Sequence, residues 1–251
     1  MLKENKVAIT YSMITLIATT IIGQIVLCFF SNGPTLGSSA LFILMNLIPM
    51  MTAALFSIKT LECKNLFEFF KQSFLQKERL LPFLLAFIVP LIYYGVSALL
   101  RNIKDFNVSF MIILAYFPWT LLQGGLEEVG WRWYLQEHIH VKKDSFILKM
   151  LFISVIWFLW HIPIYRLPWI TAGSSNYIIF YLMILGNTFT FGMIKEFSKG
   201  SIPCILSHML IDTMAVAMLV QSSLYPIIIL IVVEILFSTL IVYIKNKKTS
   251  H

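Results

Sequence analysis

The sequence predicts an all-α integral membrane protein with about eight transmembrane helices, both termini in the cytoplasm, and one polytopic domain over residues 1–251. Three observations predict it. Apolar residues make up 59% of the chain and charged residues only 12%, against roughly 45–50% and about 25% in a soluble domain. The apolar residues fall in eight runs near the ~20 residues a helix needs to cross a bilayer. The basic residues sit almost entirely on alternate connections between those runs. A mean hydropathy of +0.83 agrees; a water-soluble globule of this size lacks the polar surface to cover itself.

The runs are residues 7–30, 39–57, 80–100, 110–126 (continuing as helix toward Gln136), 146–164, 177–194, 201–220 and 224–244. Each reads as a helix, because in lipid only helices and closed barrels satisfy their own backbone. Barrel strands would alternate over about ten residues, and these runs do not. The first run, preceded by Lys3 and Lys6, exceeds the roughly 7–15 apolar residues of a secretory leader. It is expected as a retained span. With the N-terminus inside, the outer connections hold only Arg101, Lys104 and Arg166 of the 19 Lys and Arg. All the others fall on the cytoplasmic side, loop by loop, which sets the orientation.

The +7 net charge is explained by that bias and by anionic lipid, so nucleic-acid binding is excluded as a partner class. Cys28, Cys63 and Cys204 are odd in number and scattered; neither a disulfide framework nor a CxxC metal spacing exists. Between the second and third runs, Cys63, Leu66, Phe67, Phe70 and Phe74 recur at helical spacing with Lys64, Lys71 and Lys77 between them. This segment, 60–79, is expected to be either an amphipathic helix at the interface or an ordinary connector. No internal repeat is visible.

Charge inside a span is costly and usually functional. Three places carry it: Glu127-Glu128 with Arg132, His161 preceded by Trp157, and His208 followed by Asp212. Glu128 and Arg132 are i,i+4 and share a helix face, so they can pair. Glu127 is rotated about 100° away, and its own i+4 neighbour is Trp131. One carboxylate is thereby neutralised, and the other is left as a candidate general base in a partly dehydrated cavity. His208 and Asp212 are also i,i+4, so Asp212 can accept a ring N–H and fix the tautomer, or help hold a metal or a water. Trp157 lies one turn before His161 and packs on it. An acid, two histidines and a further acid suit activation of water: Glu127 takes the proton, and His161 and His208 either ligate a metal or stabilise an oxyanion.

These residues resemble the CPBP family of intramembrane proteases, which includes the CAAX prenyl endopeptidase and the bacterial Abi, bacteriocin-processing and self-immunity proteins. Glu127, Glu128 and Arg132 match its EExxxR motif. His161 matches FxxxH, with Trp157 in place of Phe, and His208 with Asp212 matches HxxxN with Asp for Asn. The Lys199-Gly200-Ser201-Ile202-Pro203 run is similar to the family's lead-in to the third motif. The resemblance covers residues 121–213. It implies an eight-helix fold and endopeptidase activity, with Glu127, His161 and His208 catalytic and Glu128, Arg132, Asp212 and Trp157 supporting. It also implies either no cofactor or a divalent metal such as zinc, which would be held by Glu127, His161 and His208. The departure at Asp212 adds an acid beside His208. An HExxH zinc motif is absent.

The catalytic core is thus expected at about residues 110–215. The partners are membrane lipids and a peptide or lipidated protein substrate. Abundant Ile, Lys, Phe and Asn suggest a low-GC bacterium and its plasma membrane. The alternative is a non-catalytic bacteriocin-immunity factor or regulatory scaffold; a proton-relaying transporter would show related halves. At 1.5 Å per residue, Glu127 lies about 26 Å along its run, His161 about 22 Å along its own, and His208 about 10 Å from the inner face. From these depths a cavity open toward the cytoplasm is expected, with cleavage near that surface. Outside the motifs, Glu234 in the last run is expected to pair with a motif group, stay protonated or make a structural hydrogen bond, Cys204 reads as a small apolar residue of its span with a thiol nucleophile as the alternative, and His138 and His140 read as solvated.

Overall fold

The computed structural model describes residues 5–30, 33–104, 108–167, 169, 176–221 and 223–249. Among them the chain is helical, with one isolated bridge between Ile103 and Val220. Ten α-helices follow in order: α1 (Lys6–Phe29), α2 (Leu36–Lys59), α3 (Leu66–Phe74), α4 (Leu80–Leu99), α5 (Phe110–Thr120), α6 (Gln136–His138), α7 (Phe146–Tyr165), α8 (Tyr177–Phe197), α9 (Ile202–Ala217) and α10 (Leu224–Thr249). Two π-helical segments, Leu121–Gly125 and Val129–Leu135, join α5 to α6. Helix starts follow the polar residues that interrupt the apolar runs. Thr35 and Ser38 form a reciprocal capping box on α2. Asn65, Ser109, Ser145 and Asn176 cap α3, α5, α7 and α8 through their side-chain oxygens, satisfying N–H groups that have no partner within the helix.

Six of these helices are long and apolar enough to cross a membrane: α1, α2, α4, α7, α8 and α10. Two further apolar helices, Phe110–Gly125 and Ile202–Ala217, are shorter. They correspond to the fourth and seventh runs of the sequence. Large apolar side chains face outward along the bundle, as Ile14, Ile17, Ile21 and Ile25 do on α1, which is the surface of a chain that meets lipid. Lys3, counted in the charge bias, lies outside the described residues.

The fourth run departs from the regular helix expected of it. After Pro118 the backbone widens, and the Leu126 N–H bonds to the carbonyl of Leu121, five residues back, at 3.0 Å. Wide turns of this kind often accompany functional sites. Here they coincide with glycines that admit a neighbour. A Cβ on Gly125 would stand 3.0 Å from Met209 Cγ of α9, and one on Gly130 would stand 2.6 Å from the backbone of Pro49 in α2. Close approach of α2 and α9 thus depends on the missing side chains.

One end of the bundle carries most of the lysines and is tightly closed. Tyr11, Phe56, Trp131 and Tyr134 pack edge to face or tilted, with ring centroids 5.0–6.4 Å apart. The Tyr11 hydroxyl donates to the Pro49 carbonyl at 3.1 Å. The segment before the third motif is clasped from below. The Ser73 carbonyl accepts both the N–H and the hydroxyl of Ser201, at 2.8 and 2.7 Å, and the Glu78 carboxylate accepts the N–H groups of Lys199 and Gly200. Short α3 forms where the spacing predicts it, but it buries Phe69 and Ser73 and leaves Leu66, Phe67 and Phe70 facing out.

The Gly130 contact generates a prediction. Gly130→Ala drives a methyl group into Pro49 backbone, which cannot move aside as a flexible side chain does. Thermal unfolding in detergent should show a loss of about 1–3 kcal/mol, the usual cost of overpacking; an unchanged midpoint would show that α2 yields freely.

Candidate active site

The three motifs meet inside the bundle. Arg132 and Glu128 pair as their spacing requires: Arg132 Nε donates to Glu128 Oε2 at 2.8 Å, and neither side chain is exposed. Glu127 points elsewhere. Its Oε2 accepts the indole N–H of Trp131 at 3.2 Å, the i+4 neighbour noted in the sequence. His208, arriving from α9, places Nδ1 2.8 Å from Glu128 Oε1 and 3.5 Å from Glu127 Oε1. Two carboxylates, a guanidinium and an imidazole therefore form one buried network, in which opposite charges offset the cost of leaving water.

Asp212 faces the same ring without the direct hydrogen bond that its spacing allows. His208 Nδ1 is bonded to Glu128, and Asp212 Oδ1 stands 3.7 Å from the other ring nitrogen, Nε2, beyond hydrogen-bond reach. The ring thus stands between two acids, one on each nitrogen. Gly124 makes room for it: a Cβ there would lie 2.7 Å from Asp212 Oδ2 and 2.8 Å from His208 Nε2. The double glycine was visible in the sequence, but which side chain it faced was not.

His161 is not in hydrogen-bond contact with that cluster. Its Nδ1 lies 2.8 Å from the Trp157 carbonyl. A carbonyl only accepts, so Nδ1 carries the hydrogen, and Nε2 of the neutral ring carries a lone pair. Trp157 joins the two parts of the site. Its ring contacts those of His161 and His208, with centroids 5.3 and 5.8 Å away, and the Arg132 guanidinium lies 4.8 Å from its centroid, a cation–π contact. Phe191 of α8 stacks on His208 at 5.2 Å; no motif in that run pointed to it.

Glu127, Trp157, His161, His208 and Asp212 line a cavity of about 510 Å³, within the usual range for ligand sites. The remaining wall mixes aromatic rings with amides such as Asn46, Gln123 and Asn187. This cavity does not extend toward the lysine-rich end, where the sequence led us to expect its opening. It runs the other way, to Trp169, Leu219 and Val220. Depth counted along each run failed because the expected continuation of the fourth helix is itself buried, at Val129, Trp131, Arg132, Tyr134 and Leu135, so Glu127 lies inside the bundle and not at its face.

Other candidates stay outside the site. Cys204 is buried beneath it with its thiol toward the Phe191 carbonyl at 3.6 Å, and it does not line the cavity. Glu234 is fully buried on α10 against Gly186, with no hydrogen-bond partner among the described residues. His138 is paired to Glu62 at 2.9 Å and stacked on Tyr134, while the His140 N–H donates to Asn5.

The donors suit a metal poorly. Among the described residues, the group whose ligand atoms converge within 4.8 Å is Glu127, Glu128 and His208, not the Glu127, His161 and His208 set expected. Within it, His208 Nδ1 and Glu128 Oε1 are at hydrogen-bond distance, a contact that a metal bound there would have to replace. Glu128 is already engaged by Arg132.

Residues 107–214 match the family model for Type II CAAX prenyl endopeptidase Rce1-like proteins. That stretch contains all three motifs and agrees with the resemblance they carry. The family indicates a membrane-embedded peptidase, hence a hydrolase acting on protein substrates in a lipid environment. No curated protein matches the chain.

The buried network makes its own prediction. Arg132→Met leaves the buried Glu128 carboxylate with His208 alone and should cost about 3–5 kcal/mol of stability. Adding Glu128→Leu to Arg132→Met should recover much of that loss in denaturant unfolding of the purified protein.

Proposed function

We propose that the chain is an intramembrane endopeptidase of the CAAX-protease type, in which Glu127 activates water at the floor of the cavity. The observation that carries this reading is the unequal treatment of the two adjacent glutamates. Glu128 is spent on Arg132 and His208, whereas Glu127 has one indole donor and a face on the cavity. A carboxylate so placed can accept a proton from water as the hydroxide adds to a peptide carbonyl, then return it to the leaving amine. His208 supplies the countercharge. With Nδ1 held by Glu128, a proton on Nε2 would face the cavity beside Gly124 and stabilise the oxyanion, while Asp212 balances the imidazolium. His161 presents an acceptor at Nε2, which suits orienting the water or a substrate N–H more than stabilising an oxyanion. Trp157 fixes both rings. The steps above are written with protein groups alone, and the contact of His208 Nδ1 with Glu128 supports a glutamate-dependent route.

Substrate would be a peptide segment that enters the membrane cavity, in the plasma membrane of a low-GC bacterium. Purified wild type, Glu127→Gln and His208→Ala compared on a peptide library test the reading. Glu127→Gln should lower the cleavage rate by about 10²–10⁴-fold, the usual contribution of a general base, with an unchanged unfolding midpoint. Equal rates for the three proteins would sink the proposal. Gly124→Ala should cost on the order of 10²-fold by displacing His208 and Asp212. Cleavage should persist in chelator; its loss on chelation and return with zinc would favour the metal route.

A further inference from the structure

We infer that the cavity is filled from the extracytoplasmic side, so that its substrates are peptide segments presented on the outer face or in the outer half of the membrane. This rests on the reading of the cavity as a peptidase site, and two independent features carry it. The first is the direction in which the cavity runs. On α9 the side chains that line it are His208, Ile211, Asp212, Ala215 and Val216, followed by Leu219 just past the helix end, a stripe at helical spacing that begins near the middle of the helix and continues toward and beyond its C-terminal end. No residue of α9 before His208 takes part. The other helices agree. α7 contributes from Trp157 onward, α8 contributes from Phe180 to Phe191, and α4 contributes only Tyr93 and Tyr94 near its end.

The second feature is the closure of the opposite end. Beneath His208, Leu135, Met150, Ile153, Ile194, Cys204 and Ile205 are all buried to within a few per cent. The layer below them is fastened by Ser73 to Ser201 and by Glu78 to Lys199 and Gly200. A substrate entering there would have to break these hydrogen bonds and open a packed aromatic and aliphatic layer, whereas the other half of the bundle already holds the space.

Charge assigns sides to the two ends. The closed end carries Lys59, Lys64, Lys71, Lys77, Arg79 and Lys149 among many others, and the end the cavity reaches has Arg101, Lys104 and Arg166. Basic loops stay in the cytoplasm, so the cavity faces outward. The chemistry of the wall fits such a guest. Tyr93, Tyr94, Tyr116 and Phe180 give apolar contact to side chains, and Asn46 and Asn187 offer donors and acceptors to an extended backbone. The peptide expected is an apolar segment of an exported or membrane-anchored chain, cleaved from the side where it emerges.

Sidedness of thiol labelling tests this without any substrate. Exposed Cys28 is first replaced by Ala; Cys63 and Cys204 are buried. Leu219→Cys on the cavity wall and Lys71→Cys on α3 are then treated, separately, with a charged membrane-impermeant methanethiosulfonate in right-side-out and inside-out vesicles. Leu219→Cys should be modified in right-side-out vesicles and lose that modification in inside-out ones, with Lys71→Cys showing the reverse. Val216→Cys, one turn deeper on the same stripe, replaces Leu219→Cys if that variant fails to accumulate. Modification of the cavity position from the cytoplasmic face, or from neither face, overturns the inference. Because labelling requires no catalysis, a failure of the peptidase reading would show in the Glu127→Gln comparison and leave this result untouched.

Discussion

The pairing of Glu128 with Arg132 in the membrane interior is the constraint on which the rest of the site depends. Two carboxylates side by side in a low-dielectric bundle repel each other and each lose their hydration. One of them is neutralised by a guanidinium that, among the described residues, makes a single side-chain hydrogen bond, through Nε, and is otherwise held between the Trp157 and Phe191 rings. The same carboxylate uses its second oxygen to anchor His208. Glu128 therefore orients the imidazole and leaves Glu127 as the acid with a free approach to the cavity.

The backbone is built around that network. The π-helical turns on either side of Glu127 and Glu128 widen the fourth helix where its motif must meet three neighbours at once. Glycines at 124, 125 and 130 remove the side chains that would hold α9 and α2 at ordinary distance. Overwound or widened turns and bare backbone both cost helix stability. Here the cost is offset by dense packing at the lysine-rich end, where Trp131, Tyr134 and Leu135 are buried. Rigidity below and space above give the site a firm floor and an accommodating wall, a division that suits a peptidase whose reacting groups must be held while its guest varies.

The resemblance carried by three short motifs and the match over residues 107–214 concern the same part of the chain. Outside it, α1, α2 and α10 serve as packing partners. α2 contributes Phe42 and Asn46 to the cavity wall and receives Gly130 against Pro49, so the helices without motifs still shape what the site can admit.

Composition and periodicity alone determined the membrane-type all-α architecture, because apolar content and the need to satisfy backbone groups in lipid leave few other solutions. Spacing alone determined the Glu128–Arg132 pair and the proximity of Trp131 to Glu127, because residues four apart on a helix are neighbours whatever surrounds them. Tertiary structure decided everything that depended on how helices approach one another. Only it set His208 on Glu128 and left Asp212 on the other side of the ring, drew Phe191 into the site from a run without a motif, and separated His161 from the glutamates. Only it turned the cavity away from the lysine-rich end, because the depth of a residue in a bundle is fixed by where its helix begins relative to its neighbours, and that offset is written in packing, not in any one run.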